Sequence, residues 1–108
     1  MSAKQILFIC SMNRWRSPTA EHIFANFPGI ETSSAGTNTN ADIPISGELI
    51  KEADLIFVME KIHKTKLSQQ FPEPLRDKRI ICLNIPDKFK YMDEQLISIL
   101  KKRVTPFL

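Results

Sequence analysis

The tightest constraint on the fold is a continuous apolar run near the start of the chain, Gln5-Ile6-Leu7-Phe8-Ile9-Cys10. A strand with one wet face alternates apolar and polar residues, whereas a strand without alternation is covered on both faces, as in a parallel sheet. Asp54-Leu55-Ile56-Phe57-Val58-Met59 repeats the pattern, and residues 30–34 and 79–83 read as two further short strands. Helix patterns fill the gaps. Ser17-Pro18-Thr19-Ala20-Glu21 places Pro at a first helical position, and Pro28-Gly29 stops that helix at about Phe27. Residues 46–53 make a short helix, and residues 61–71 an amphipathic one ended by Pro72 and Pro74. Residues 92–104 form the last, with Leu96, Ile97, Leu100 and Val104 on one face.

Strands alternating with helices imply right-handed crossovers and an α/β fold. The expectation is one three-layer domain over residues 1–108: a four-stranded parallel sheet, order 2-1-3-4, with helices on both faces. Ligands of such sheets bind beyond the carboxyl ends of the strands. The loops at 11–16, 35–45, 59–63 and 84–91 all leave from that edge, so they can meet at one site.

Composition narrows the function classes. No apolar run approaches the roughly 20 residues of a membrane span, and the N-terminus lacks the pattern of a secretory signal, so no membrane partner is expected. The two cysteines, Cys10 and Cys82, fall in separate strand-linked segments, which argues against a disulfide scaffold and for a cytoplasmic location. A net charge of +3 favours anionic ligands. The basic residues are scattered, and those at 61–66 and 101–103 fall on helix faces, so nucleic acid is not expected as a partner. A monomer or weak homodimer is the expected state.

The chemistry is concentrated in the connection from the first strand to the first helix, Cys10-Ser11-Met12-Asn13-Arg14-Trp15-Arg16-Ser17. A short turn from a buried strand into a helix N-terminus aims backbone N–H groups inward and makes an anion nest, reinforced by the helix dipole. Cys10 at its mouth would be held as a thiolate by the same field. Arg16 can fold back and hold two phosphoryl oxygens with its planar fork, Ser17 can hydrogen-bond the sulfur, and Asn13 tolerates the left-handed backbone that a tight loop needs.

With Pro18, Ala20 and Glu21 following, this stretch resembles the signature of the low-molecular-weight protein tyrosine phosphatases: an apolar strand, Cys-x-x-Asn-x-x-Arg-Ser-Pro, then Ala-Glu in the next helix. The likeness continues in Ser33-Ser34-Ala35-Gly36-Thr37 and in the strand ending Met59-Glu60, where the family has Met-Asp. The resemblance implies a phosphatase I-like fold and hydrolysis of phosphate monoesters, protein phosphotyrosine by default, through a phosphocysteine intermediate. Cys10 would be the nucleophile and Arg16 the phosphate clamp, with Ser11, Met12, Asn13, Arg14, Trp15, Arg16 and Ser17 around the phosphate. Asn13 and Ser17 would support the nucleophile. His63, where the third strand gives way to its helix, would stiffen the loop by bonding Asn13.

The family's general acid is an Asp followed by Pro, which this chain lacks. Pro86-Asp87 lies just past the fourth strand at the correct edge, so Asp87 is the candidate acid, with Asp93 as rival and better suited to capping the last helix. Trp15, Phe89 and Tyr91 are candidate walls for a substrate ring, since 37–42 carries no aromatic residue. Trp15 also stands where many members carry a second cysteine. Nucleotide, sugar or RNA-terminal phosphates stay open as substrates. An arsenate reductase would need resolving cysteines, and Cys82 is expected as inert core packing. A phosphate-binding module without turnover is the reading from a different class. Neither His22 nor His63 forms a metal-ligand spacing with the cysteines, so no metal and no cofactor are expected.

Overall fold

The computed structural model describes residues 3–108. Strand β1 (Lys4–Cys10) is followed by α1 (Arg16–Phe24), β2 (Ile30–Gly36), α2 (Gly47–Glu52), β3 (Leu55–Val58), α3 (Lys61–Gln70), β4 (Ile80–Cys82) and α4 (Glu94–Val104). All strand pairs are parallel and the order is β2-β1-β3-β4, as expected. The first crossover puts β2 at one edge and the later ones lead past β1, so β1 and β3 occupy the centre.

The two central strands explain their own composition. Ile6, Phe8 and Cys10 of β1, with Leu55 and Phe57 of β3, face Ala20 and Phe24 of α1 and Leu96, Leu100 and Val104 of α4. Leu7 and Ile9, with Ile56 and Val58, face Ile50 of α2 and Leu67 of α3. Every second residue goes to the opposite layer and both layers are dry, which is why the runs show no polar alternation. Stacked rings tie the first layer together, Phe8 against Phe57 at 5.4 Å and against Phe24 at 5.9 Å. Each fully buried aromatic or branched aliphatic residue contributes about 1.5–3 kcal/mol.

Several sequence expectations shift at element ends. α1 begins at Arg16, so Pro18 is its third residue; in the first turn its missing N–H removes no helical bond. The helix ends at Phe24, and the bonds Ala25 N–H to His22 carbonyl and Phe27 N–H to Phe24 carbonyl carry tighter turns to Pro28. α4 starts two residues late because Met92 has φ 60°, and Asp93 caps it by accepting from Gln95 N at 2.8 Å and Leu96 N at 3.3 Å. Ile97 is only half-buried, and Ile99 joins the first layer beside Leu96 and Leu100. Cys82 packs against the second layer as expected but is only half-buried on the edge strand, with Sγ 3.3 Å from Asn84 Oδ1. No helix among the described residues is long and apolar enough to cross a membrane.

Candidate active site

The carboxyl ends of β1, β2 and β3 bring three loops together, and the loop after β4 closes the fourth side. β1 delivers Cys10 to the sheet edge, 3% exposed and unpaired. The 11–15 turn then reverses into α1, and Asn13 makes the reversal with φ 56°, the left-handed conformation that Asn accepts at low cost. Trp15 occupies the N-cap position of α1 without a capping bond from its indole, so the free amides of the first turn meet no competing acceptor there. Those amides and the positive end of the dipole are what an anion requires.

The carbonyls of the turn are bound from behind. Thr37 N donates to Cys10 O at 2.9 Å, Asn38 N to Ser11 O at 3.0 Å and Asp42 N to Met12 O at 3.0 Å. This 37–42 strap fits only because Gly36, directly beside Cys10 in the register, has no side chain. A Cβ there would stand 2.5 Å from Ser11 O and 2.6 Å from Ala41 Cβ.

A series of hydrogen bonds runs from α1 to the sulfur. The Ser34 hydroxyl donates to Glu21 Oε1 at 2.5 Å, so Ser34 Oγ accepts from Asn13 Nδ2 at 2.9 Å. Asn13 Nδ2 also donates to Ser17 Oγ at 2.9 Å, which leaves the Ser17 hydrogen free for Cys10 Sγ, 2.9 Å away. The Ala35 carbonyl, at 3.4 Å, is the more distant alternative. Asn13 N is a second donor to the sulfur at 3.2 Å. The Ser17 hydroxyl and the Asn13 amide thus both meet the one sulfur.

Arg16 is 2% exposed. Its Nη1 donates to Glu60 Oε1 at 2.5 Å and to the Ile85 carbonyl at 2.8 Å. One edge of the guanidinium is therefore anchored; Nε faces Asp87, and Nη2 is left for a ligand. Asp87 Oδ1 lies 3.6 Å from Arg16 Nε, and it is held there by its neighbours: Ile85 and Phe89 are sunk into the core on either side. Ile85 N also donates to Met59 O at 2.8 Å. Cys10, Met12, Arg14, Trp15, Arg16 and Asp87 enclose a hollow of about 100 Å³.

Sequence-selected residues thus divide. Cys10, Arg16, Asp87, Asn13 and Ser17 meet at one place, and Trp15, 45% exposed, is an aromatic wall of the hollow. Phe89 is in the core, and Tyr91 sits edge-on to His22 beside α1, so neither is a wall. Arg14 points outward to Asp42 at 3.4 Å, an exposed pair of the kind that contributes about 0–1 kcal/mol. Asp93 is occupied with its cap. His63 is fully buried and its partner is Ser11, not Asn13: Nε2 lies 2.9 Å from Ser11 Oγ, and Nδ1 accepts from Glu60 N at 3.0 Å. Burial, and then the charge of Arg16, lower its pKa from 6.5 to about 4, against the opposing pull of Glu60. It is a neutral imidazole at physiological pH.

Glu60 is the residue that reading the sequence left without a role. Its signal was available: a carboxylate immediately after β3, ahead of a helix, at the edge where the other loops converge. Glu21 and Ser34 were likewise visible only as parts of a pattern. Among the described residues, no group of three or more His, Cys, Asp or Glu is placed to hold a metal ion.

No family model matches the chain, and a search of curated proteins by sequence finds no significant match. Solved structures do match. Wzb of Vibrio vulnificus, in complex with benzylphosphonate, is 22% identical with a TM-score of 0.79, the alignment covering 98% of this chain and 97% of that one. The YwlE arginine phosphatase of Geobacillus stearothermophilus is 24% identical with a TM-score of 0.72, covering 94% of this chain and 86% of that one. A low-molecular-weight protein tyrosine phosphatase from T. tengcongensis is 22% identical with a TM-score of 0.71, covering 98% of this chain and all of its own. At these identities the likeness establishes architecture, and the conclusion is that this chain has the fold of the low-molecular-weight protein tyrosine phosphatases.

Proposed function

We propose that the protein is a cysteine-dependent phosphatase acting on phosphate monoesters. The observation that carries the reading is the sulfur of Cys10, met by the Ser17 hydroxyl and the Asn13 amide, at a hollow walled by an anchored Arg16. In the first step the sulfur lone pair forms the S–P bond while the P–O bond to the leaving group breaks, and Asp87 gives that oxygen its proton. In the second step water attacks phosphorus, Asp87 takes the proton, and the S–P bond breaks to release inorganic phosphate and the thiolate. Arg16 and the amides of the first turn of α1 stabilise the equatorial oxygens throughout. A reducing cytosol would keep Cys10 competent.

The rim supports one substrate class over others. Wzb is described as a tyrosine phosphatase and YwlE as an arginine phosphatase, so the fold accepts unlike leaving groups. Trp15 offers one ring-sized wall here, which suits an aryl phosphate such as phosphotyrosine; nucleotide, sugar and RNA-terminal phosphates share the same reacting group. The test is steady-state hydrolysis of p-nitrophenyl phosphate by wild type and Cys10→Ser, followed by a panel of phosphopeptides and phosphorylated metabolites. Turnover that vanishes in Cys10→Ser is expected. Equal rates in the two proteins would leave a site that binds phosphate without hydrolysing it.

A further inference from the structure

The buried His63 joins two parts of the site that no sequence pattern connects. Its Nδ1 accepts the Glu60 backbone N–H, so the ring proton resides on Nε2 and is donated to Ser11 Oγ at 2.9 Å. Its own backbone N–H donates to the Glu60 carbonyl at 3.1 Å. Glu60 is thereby fixed through its backbone at both ends, and its carboxylate, which also faces the His63 backbone N–H in the capping box, anchors Arg16. Ser11, the residue after the nucleophile, is fixed on one side by Asn38 through its carbonyl and on the other by the imidazole through its hydroxyl.

From these contacts we infer that His63 is a positioning residue that keeps the turn beside Cys10 in register with the carboxylate that aims Arg16. The inference rests on the proposed phosphatase reading. The nucleophile and the clamp come from opposite ends of the 11–16 turn, and a relative displacement of about 1 Å between reacting groups costs on the order of 10²-fold in rate. Loss of the Ser11 tether, with the cap at Glu60 retained, gives a part of that.

His63→Leu removes the ring donor to Ser11, and with it the acceptor of the Glu60 N–H, while keeping the buried site filled by an apolar side chain. Ser11→Ala removes the same bond from the other side, and Ser11→Thr keeps a hydroxyl. The expected result is a roughly tenfold loss of kcat on p-nitrophenyl phosphate in Ser11→Ala, and a loss at least as large in His63→Leu. The double variant should be no worse than the worse single, as for two ends of one bond, and Ser11→Thr should recover most of the loss. Losses that multiply in the double variant, or a lower Tm with unchanged kcat in both singles, would overturn the inference. Should His63→Leu fail to fold, the contrast between Ser11→Ala and Ser11→Thr decides, with equal kcat counting against it. Binding of inorganic phosphate, followed by calorimetry across the same variants, keeps the two claims apart: a wild type without turnover ends the phosphatase reading, and non-additive or additive changes in phosphate Kd then support or overturn the tether.

Discussion

Replacing Gly36 by Ala tests whether the strap behind the turn sets the catalytic geometry. The new Cβ would lie 2.5 Å from Ser11 O, 2.6 Å from Ala41 Cβ and 3.0 Å from Asn13 N. Ordinary contacts are about 3.3–3.6 Å for carbon against oxygen and about 3.5–4.0 Å for carbon against carbon, so the two nearest neighbours must each retreat by roughly 1 Å. Two of the three atoms belong to the backbone that leads from Cys10 to Arg16, and no flexible side-chain end can yield in their place. Overpacking of this kind costs about 1–3 kcal/mol, which for a domain near this size lowers Tm by roughly 5–20 °C. The same shift misplaces Cys10 and Arg16 and should lower kcat/KM by on the order of 10²-fold. Circular dichroism melting and p-nitrophenyl phosphate kinetics read the two effects separately. Gly29→Ala is the control: its φ of 81° is strained for Ala but nothing lies within 4 Å, so a loss of about 1 kcal/mol with unchanged kcat/KM is expected. If Gly36→Ala behaves like Gly29→Ala, the strap does not set the geometry of the turn.

Asp87→Asn should depress kcat far more for an alkyl phosphate than for p-nitrophenyl phosphate, whose leaving group needs little protonation, whereas Asp93→Asn should leave kcat alone and cost at most about 1 kcal/mol in urea unfolding; the opposite ranking would reassign the acid. His63 imposes a pH dependence on stability. Its native pKa of about 4 lies below the 6.5 of an unperturbed histidine, so the unfolded state binds more protons between those values. Stability due to the neutral ring is present above about pH 6.5 and falls as pH drops towards 4, by about 3 kcal/mol in total at about 1.4 kcal/mol per pH unit. Urea titrations across pH 4–7 should show that slope in wild type and a flatter one in His63→Gln.

The sheet was legible because burial on both faces leaves an unmistakable record: from Ile6 onward β1, and β3 throughout, contain no alternating polar residues, and nothing but a doubly covered strand needs that. Cys10, Asn13, Arg16 and Ser17 were legible because one turn carries all four, and their separation in sequence is their separation in space. Asp87 was reachable through the sheet-edge rule and its place after β4. The partner of His63 was not, because it depends on which face of α3 turns towards the 11–16 turn, and that is decided by the cap at Glu60. Phe89 and Tyr91, two residues apart in one loop, have opposite fates for a similar reason: only Phe89 meets the apolar layer under α4. Helix ends were misjudged where the backbone takes a conformation that residue type does not announce, as at Met92.

Apart from the exposed Arg14–Asp42 pair, the bonds from 37–42 to the turn run from backbone N–H to backbone carbonyl, while Asn38, Thr39 and Asn40 are exposed to solvent. Identity at the tip is thereby uncoupled from the scaffold beneath it. Within the tip the Asn38 side chain still shapes the strap, accepting from Asn40 N at 2.8 Å, so Thr39 is the position where exchange should leave the turn beside Cys10 undisturbed.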